Sequence, residues 1–171
     1  RWQARLQQGY LVAGADGFTV RVRCAGGAAA VAGAWLTLKA RPAAALGSGG
    51  AAAPGLPDGL VRQEFEYPIP AEDAEALLAL APQRLSKWRY GLDLPGGVWV
   101  LDVFEGDNAP LVVAEVEFEA ASLEQGLELV PPRWCVRELT GRHELSNAAL
   151  ARVPLGRWPE PGRTELFEAL G

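Results

Sequence analysis

The chain has 171 residues, 49% of them hydrophobic, enough for one domain with a core of its own. Its formal charge of -5 argues against a general nucleic-acid binder, which carries an excess of positive charge. No apolar run approaches the roughly 18 residues that span a bilayer, so a soluble, cytoplasmic protein with no membrane partner is expected. The two cysteines, Cys24 and Cys135, fit no zinc spacing and read as reduced thiols. The chain opens at Arg1 and contains no methionine, which predicts a true start upstream, and its opening has no secretory pattern.

Gln7 to Val12 reads as a short strand that turns at Gly14 to Gly17. In Val20-Arg21-Val22-Arg23 the alternation is strict, so the two arginines share a face with the valines behind them. Ala34 to Lys39 repeats the device, with Leu36 and Leu38 on one side and Thr37 and Lys39 on the other. From 42 to 59 the sequence is almost entirely Ala, Gly, Pro, Leu and Ser and is expected to be a flexible inserted loop, because loop-closure cost rises slowly with length. Val61 to Tyr67 is the next strand, with Arg62, Glu64 and Glu66 opposite Phe65 and Tyr67, and Pro68 and Pro70 end it.

Ala71 to Ala81 is the strongest helical stretch. Glu72, Asp73 and Glu75 favour its N-terminal end, and Leu77, Leu78 and Leu80 make its apolar stripe. The stretch 87–119 then reads as a three-stranded antiparallel meander with two turn clusters. Lys87 and Arg89 share a face, as do Val100, Asp102 and Phe104, and as do Glu115, Glu117 and Glu119. Beyond it, 121–127 predicts a short helix, Pro131 to Trp134 a rigid turn, Ser146 a cap for a helix from Asn147 to about Arg152, and Arg163 to Leu170 a terminal helix. His143, the only histidine, falls in a polar turn and supports neither a triad nor a zinc site.

Taken strand by strand, a solvated charged face is the ordinary reading. The charges are nevertheless sorted by strand: some strands carry only cations on one face, another only carboxylates. Like charges on one strand repel, and that arrangement suits a polyanion held by arginines beside a metal held by glutamates. Seven strand-like runs with charged faces are best accommodated as an α+β, mainly β architecture: an antiparallel, tunnel-like β-barrel with its charged side inward. The helices 71–81 and 147–152 would cover the outside, with Trp88, Trp99 and Trp134 packed beneath them.

Gln8-Gly9-Tyr10-Leu11, Val20 to Arg23, Leu36 to Lys39, Glu64 to Pro70, Lys87 to Tyr90, Trp99 to Phe104 and Ala114 to Glu117 occur in the order of a CYTH domain. Leu139-Thr140-Gly141 and Ser146 to Ala151 resemble that family's C-terminal signature. The family is also called the triphosphate tunnel metalloenzymes, and the resemblance spans 1–171 as a single domain, closest in wording to the inorganic triphosphatases. It implies an eight-stranded tunnel that hydrolyses a triphosphate with Mg2+ or Mn2+, the substrate being inorganic triphosphate, a nucleoside triphosphate or thiamine triphosphate. A non-catalytic polyphosphate- or nucleotide-binding module and a class IV-type adenylate cyclase are the alternatives. Monomer and homodimer both stay open.

On this resemblance Arg21, Arg23, Lys39, Lys87 and Arg89 bind phosphate, and Arg62 is either a phosphate ligand or the ion-pair partner of Glu64. Tyr10 touches the substrate, plugs the tunnel, or simply packs. Glu115 and Glu117 hold metal, Glu64 and Asp102 complete the acidic side, Glu66 pairs with a nearby cation or joins them, and Glu64 or Glu117 activates water. Two departures stand out. The family's Glu-x-Glu-x-Lys strand has no counterpart in 1–171, and Val100 occupies a position where relatives often carry an acid.

Overall fold

The computed structural model of the chain describes residues 2–14, 17–27, 32–40, 63–118 and 129–167. The inserted loop expected at 42–59, Arg62, Glu119 and the helix expected at 121–127 lie outside the described residues. Within them are seven strands: β1 (Trp2–Ala13), β2 (Thr19–Gly27), β3 (Gly33–Ala40), β4 (Gln63–Pro68), β5 (Gln83–Leu92), β6 (Val98–Phe104) and β7 (Val112–Glu117). They form one sheet in the order β4-β3-β2-β1-β5-β6-β7, with every neighbouring pair antiparallel. Two meanders, β1 to β4 and β5 to β7, are thus joined side by side through β1 and β5. The first strand runs from Trp2, five residues ahead of the expected Gln7, because Trp2 to Leu6 pair with β5.

Directly paired residues share a face of a pleated sheet, so the register sorts every side chain. Tyr10 lies opposite Arg21, and Gln8 opposite Arg23. Across β3, Arg21 lies opposite Thr37 and Thr37 opposite Glu66, while Lys39 lies opposite Glu64. On the other flank of β1, Leu6 lies opposite Lys87 and Ala4 opposite Arg89. Arg89 then faces Asp102, and Val100 and Val98 face Glu115 and Glu117. One face therefore gathers the charged side chains of six strands.

The opposite face carries α1 (Ala71–Leu80). Ala74, Leu77, Leu78 and Ala81 fall at helical spacing, and the first three pack with Val22, Ala34 and Ile69. Leu80, expected in the stripe, is 74% exposed, because the buried edge runs through the two alanines instead. Small residues let the helix come close. A Cβ on Gly9 would lie 2.7 Å from Ala81 Cβ and 3.0 Å from a Leu78 methyl, which gives the glycine of Gln-Gly-Tyr-Leu a packing reason. Arg84 closes the helix by donating to the carbonyls of Ala79 and Ala81.

The second helix, α2 (Asn147–Arg152), is capped as expected, with Ser146 Oγ accepting from Ala149 N–H. Its place differs from expectation. Leu150 packs with Tyr10, Leu85 and Phe104, all on the charged face, so α2 closes one end of that face rather than covering the outside. The reason is that Tyr10, Leu85 and Phe104 make an apolar patch at that end of a face that is otherwise rich in charge. The last helix, α3 (Glu160–Phe167), adds Leu166 to the same cluster. Trp99 is buried as expected, whereas Trp134 is half exposed. Among the described residues, no helix is long and apolar enough to cross a membrane.

Candidate active site

The strand alternation that the sequence shows brings Arg21, Arg23, Lys39, Glu64, Glu66, Lys87, Arg89, Asp102, Glu115 and Glu117 to one face. It does not treat them alike. On the β5-β6-β7 side, Lys87 and Asp102 are both completely buried, with Lys87 Nζ donating to Asp102 Oδ2 at 2.5 Å. Arg89 grips both oxygens of Asp102 from Nε and Nη2, at 2.7 Å each, and its Nη2 also donates to Glu115 at 2.9 Å. Such a fork matches a carboxylate in geometry as well as charge. Lys87 also donates to Asn147 Oδ1 of α2 at 2.7 Å and sits against the Phe104 ring.

Burial pushes the Lys87 ammonium down to about 8, partly offset by Asp102. Burial would push the Asp102 carboxyl up, but hydrogen bonding from Arg89 and the charges of Lys87 and Arg89 outweigh it and hold the group below the ordinary range. For Arg89, burial acts against the charge, yet Asp102 and Glu115 raise it above its ordinary value. The group is a closed network of buried, mutually bonded side chains.

On the β2-β3-β4 side the contacts are looser and wetter. Arg23 Nη2 meets Glu66 at 2.8 Å over the face of Trp35, and Lys39 meets Glu64 at 2.8 Å. Arg21 Nη2 donates to Thr37 Oγ1 at 3.1 Å, lies 3.5 Å from both Glu64 and Glu66, and Thr37 donates to Glu66 at 2.9 Å. Glu64 and Glu66 are partly exposed. The Nε atoms of Arg21 and Arg23 and Oε1 of Gln8 are buried with no hydrogen-bond partner among the described residues. Desolvation lowers the Arg23 guanidinium from its ordinary value, and the charges of Arg21 and Arg89 add to that while Glu66 opposes it. Cations from two meanders thus crowd one another across β1.

Three of the expected site residues are already paired. Lys87 is enclosed by Asp102, Asn147 and Phe104. Asp102 has both oxygens taken by Lys87 and Arg89, and Glu64 is paired with Lys39 at the opposite edge of the sheet from Glu115. Among the described residues, no group of three His, Cys, Asp or Glu side chains could hold a metal ion. Glu115 and Glu117 remain as two hard donors on one strand face. Two carboxylates are what Mg2+ takes when phosphate oxygens and waters supply the rest, so this pair fits such an ion. Glu117 feels the charge of Arg89 but forms no hydrogen bond among the described residues.

Tyr10 is buried in the cluster that includes Leu150 of α2. Asn147, Thr37 and Trp35 hold the cations yet escaped the sequence reading. For Thr37 and Trp35 the signal existed, since both share the alternation of Lys39; for Asn147 nothing local could place it over Lys87.

No family model matches the chain. It is 34% identical over 148 residues to an inorganic triphosphatase of Nitrosomonas europaea, covering 85% of this chain and 83% of that protein. It is 32% identical over 108 residues to an inorganic triphosphatase of Acetivibrio thermocellus, covering 62% of this chain and 67% of that one. The fold matches the crystal structure of the inorganic triphosphatase NE1496 with a TM-score of 0.55 and 30% identity, over 87% of this chain and 82% of that structure.

Proposed function

The chain belongs to the inorganic triphosphatase family, and we propose that it hydrolyses inorganic triphosphate to pyrophosphate and phosphate on the charged face, as a CYTH-type tunnel enzyme. The observation that carries this reading is the convergence of cations from β2, β3 and β5 on one face of the sheet. Arg21, Arg23, Lys39 and Arg89 bind the phosphate chain, Arg89 through the donors that Asp102 and Glu115 leave free and Lys39 as a mobile point charge. Lys87 is a positioning residue: with Asp102 it fixes the Arg89 fork, so the cation needs no reorganisation as charge builds on the transferred phosphoryl group.

Glu115 and Glu117 would hold Mg2+ or Mn2+, which when bound supplies charge neutralisation on the phosphate oxygens. Glu117, which has no ion pair with a protein cation among the described residues, also orients the attacking water. Release of phosphate from tripolyphosphate in the presence of Mg2+ or Mn2+ tests the reading. Turnover with a clear preference for tripolyphosphate over ATP supports it. Tight binding without release would leave a polyphosphate-binding module.

A further inference from the structure

We infer that Glu66 is an internal competitor for the substrate's anion site, a carboxylate that occupies the cations of β2 until a polyphosphate displaces it. The inference rests on the triphosphate reading above. Arg23 has one terminal nitrogen engaged by Glu66 at 2.8 Å, and its Nε is buried with no partner among the described residues. Arg21 is nearly buried, its Nε is likewise sealed, and its Nη2 is shared among Thr37, Glu64 and Glu66. Glu66 is thus the carboxylate that both guanidinium groups meet, Arg23 at 2.8 Å and Arg21 at 3.5 Å, and a phosphate that takes the same two nitrogens has to take Glu66's place.

The fold makes that exchange easy. Glu66 lies on β4, the edge strand of the sheet, every residue of which is exposed, and its own side chain is only partly covered. Once released it rotates into water without opening the core. The other half of the face offers no such exit: Asp102 is fully buried in a central network, so Arg89 keeps its partner. Thr37 sets the position of the competitor, because its hydroxyl donates to Glu66 while accepting from Arg21.

Displacement lowers the apparent affinity of every anion that uses Arg23 by the fraction of time the carboxylate is away, and re-pairing favours departure of the pyrophosphate product. If the ion pair stands about nine-tenths of the time, binding is weakened about tenfold. Glu66 thus sets how much negative charge a ligand must bring, excluding weak anions and hastening product release, a selectivity built from repulsion rather than contact.

The test is calorimetric binding of inorganic tripolyphosphate and pyrophosphate without metal, to the full chain, its Glu66→Gln and Glu66→Asp variants, and Glu117→Gln as a control for net charge. Glutamine still accepts from Thr37, so the fold is retained. Glu66→Gln is expected to tighten both ligands about tenfold, Glu66→Asp to stay near the parent, and Glu117→Gln to gain less than threefold. Equal gains for Glu66→Gln and Glu117→Gln, or no gain for Glu66→Gln, overturn the inference. Phosphate release with Mg2+ is measured in parallel on the parent chain. Release without the Glu66 pattern removes the inference and keeps the triphosphatase reading, and the pattern without release does the reverse.

Discussion

The two halves of the charged face use the same residue types to opposite ends. Around β5, β6 and β7, Lys87, Arg89 and Asp102 are packed at 2.5 to 2.7 Å with no exposure at Lys87 or Asp102. Around β2, β3 and β4, Arg21, Arg23, Lys39, Glu64 and Glu66 meet at 2.8 to 3.5 Å with partly exposed carboxylates. A buried pair is costly to break because the remaining charge is stranded, whereas an exposed pair costs little to exchange. On the proposed reading the first half is scaffold and the second exchanges its carboxylates for an anion.

The largest effect is expected from breaking the scaffold. Asp102→Ala strands Lys87 and Arg89 in a dry site and should cost about 3 to 5 kcal/mol, read as a lower midpoint in denaturant at unchanged slope. The corresponding substitution in the open half, Glu66→Ala, should cost less than about 1 kcal/mol. If the two cost the same, the division between the halves is wrong.

Next comes the pH dependence of the closed half. The Lys87 ammonium falls to about 8 in the folded chain from an ordinary 10.5. Below 8 both folded and unfolded chains hold the proton, and the fold bears the cost of burying it. Between 8 and 10.5 the folded chain has released the proton while the unfolded chain still carries it, so stability rises with pH through that window. The rise should amount to a few kcal/mol at most. It should vanish in Lys87→Met, and the difference between the two stability profiles isolates it from other groups that titrate there.

The open half should show the reverse balance of function and stability. Arg23→Ala removes a charge-assisted phosphate contact worth about 1.5 to 3 kcal/mol, so kcat/KM for tripolyphosphate should fall about 10- to 100-fold. Unfolding free energy should move by less than about 1 kcal/mol. A large loss of stability with little loss of activity would place Arg23 with the scaffold instead.

The faces were legible because a strand's period of two leaves no freedom once one side is apolar: Val20 and Val22 fix where Arg21 and Arg23 point, and Val116 fixes Glu115 and Glu117. The division into halves was not legible. It depends on α2 landing over Leu85 and Lys87, a contact between Lys87 and Asn147 across 60 positions that no local pattern encodes. For the same reason Asp102 reads in the sequence as a free acid and proves to be spent on its neighbours. Leu80 reads as part of the stripe because a leucine outranks an alanine on any hydrophobic scale, while the space above Gly9 is taken by Ala81 and a Leu78 methyl.

The smallest effect on ligand binding is expected at Thr37, and it bears most directly on how the open half is held. Its hydroxyl is completely buried between Arg21 and Glu66, accepting from one and donating to the other. Valine keeps the volume and the β-branch, so the strand should persist, but the relay is lost and the Arg21 donor is left with only the 3.5 Å contacts to Glu64 and Glu66. One net hydrogen bond and a partly stranded donor amount to about 1 kcal/mol of stability. Because Glu66 then loses its tether, Thr37→Val should bind tripolyphosphate slightly more tightly without metal, in the same direction as Glu66→Gln but by less than threefold. Weaker binding would mean that Thr37 serves Arg21 more than it serves the carboxylate, and that the open half is preorganised for phosphate rather than held shut against it.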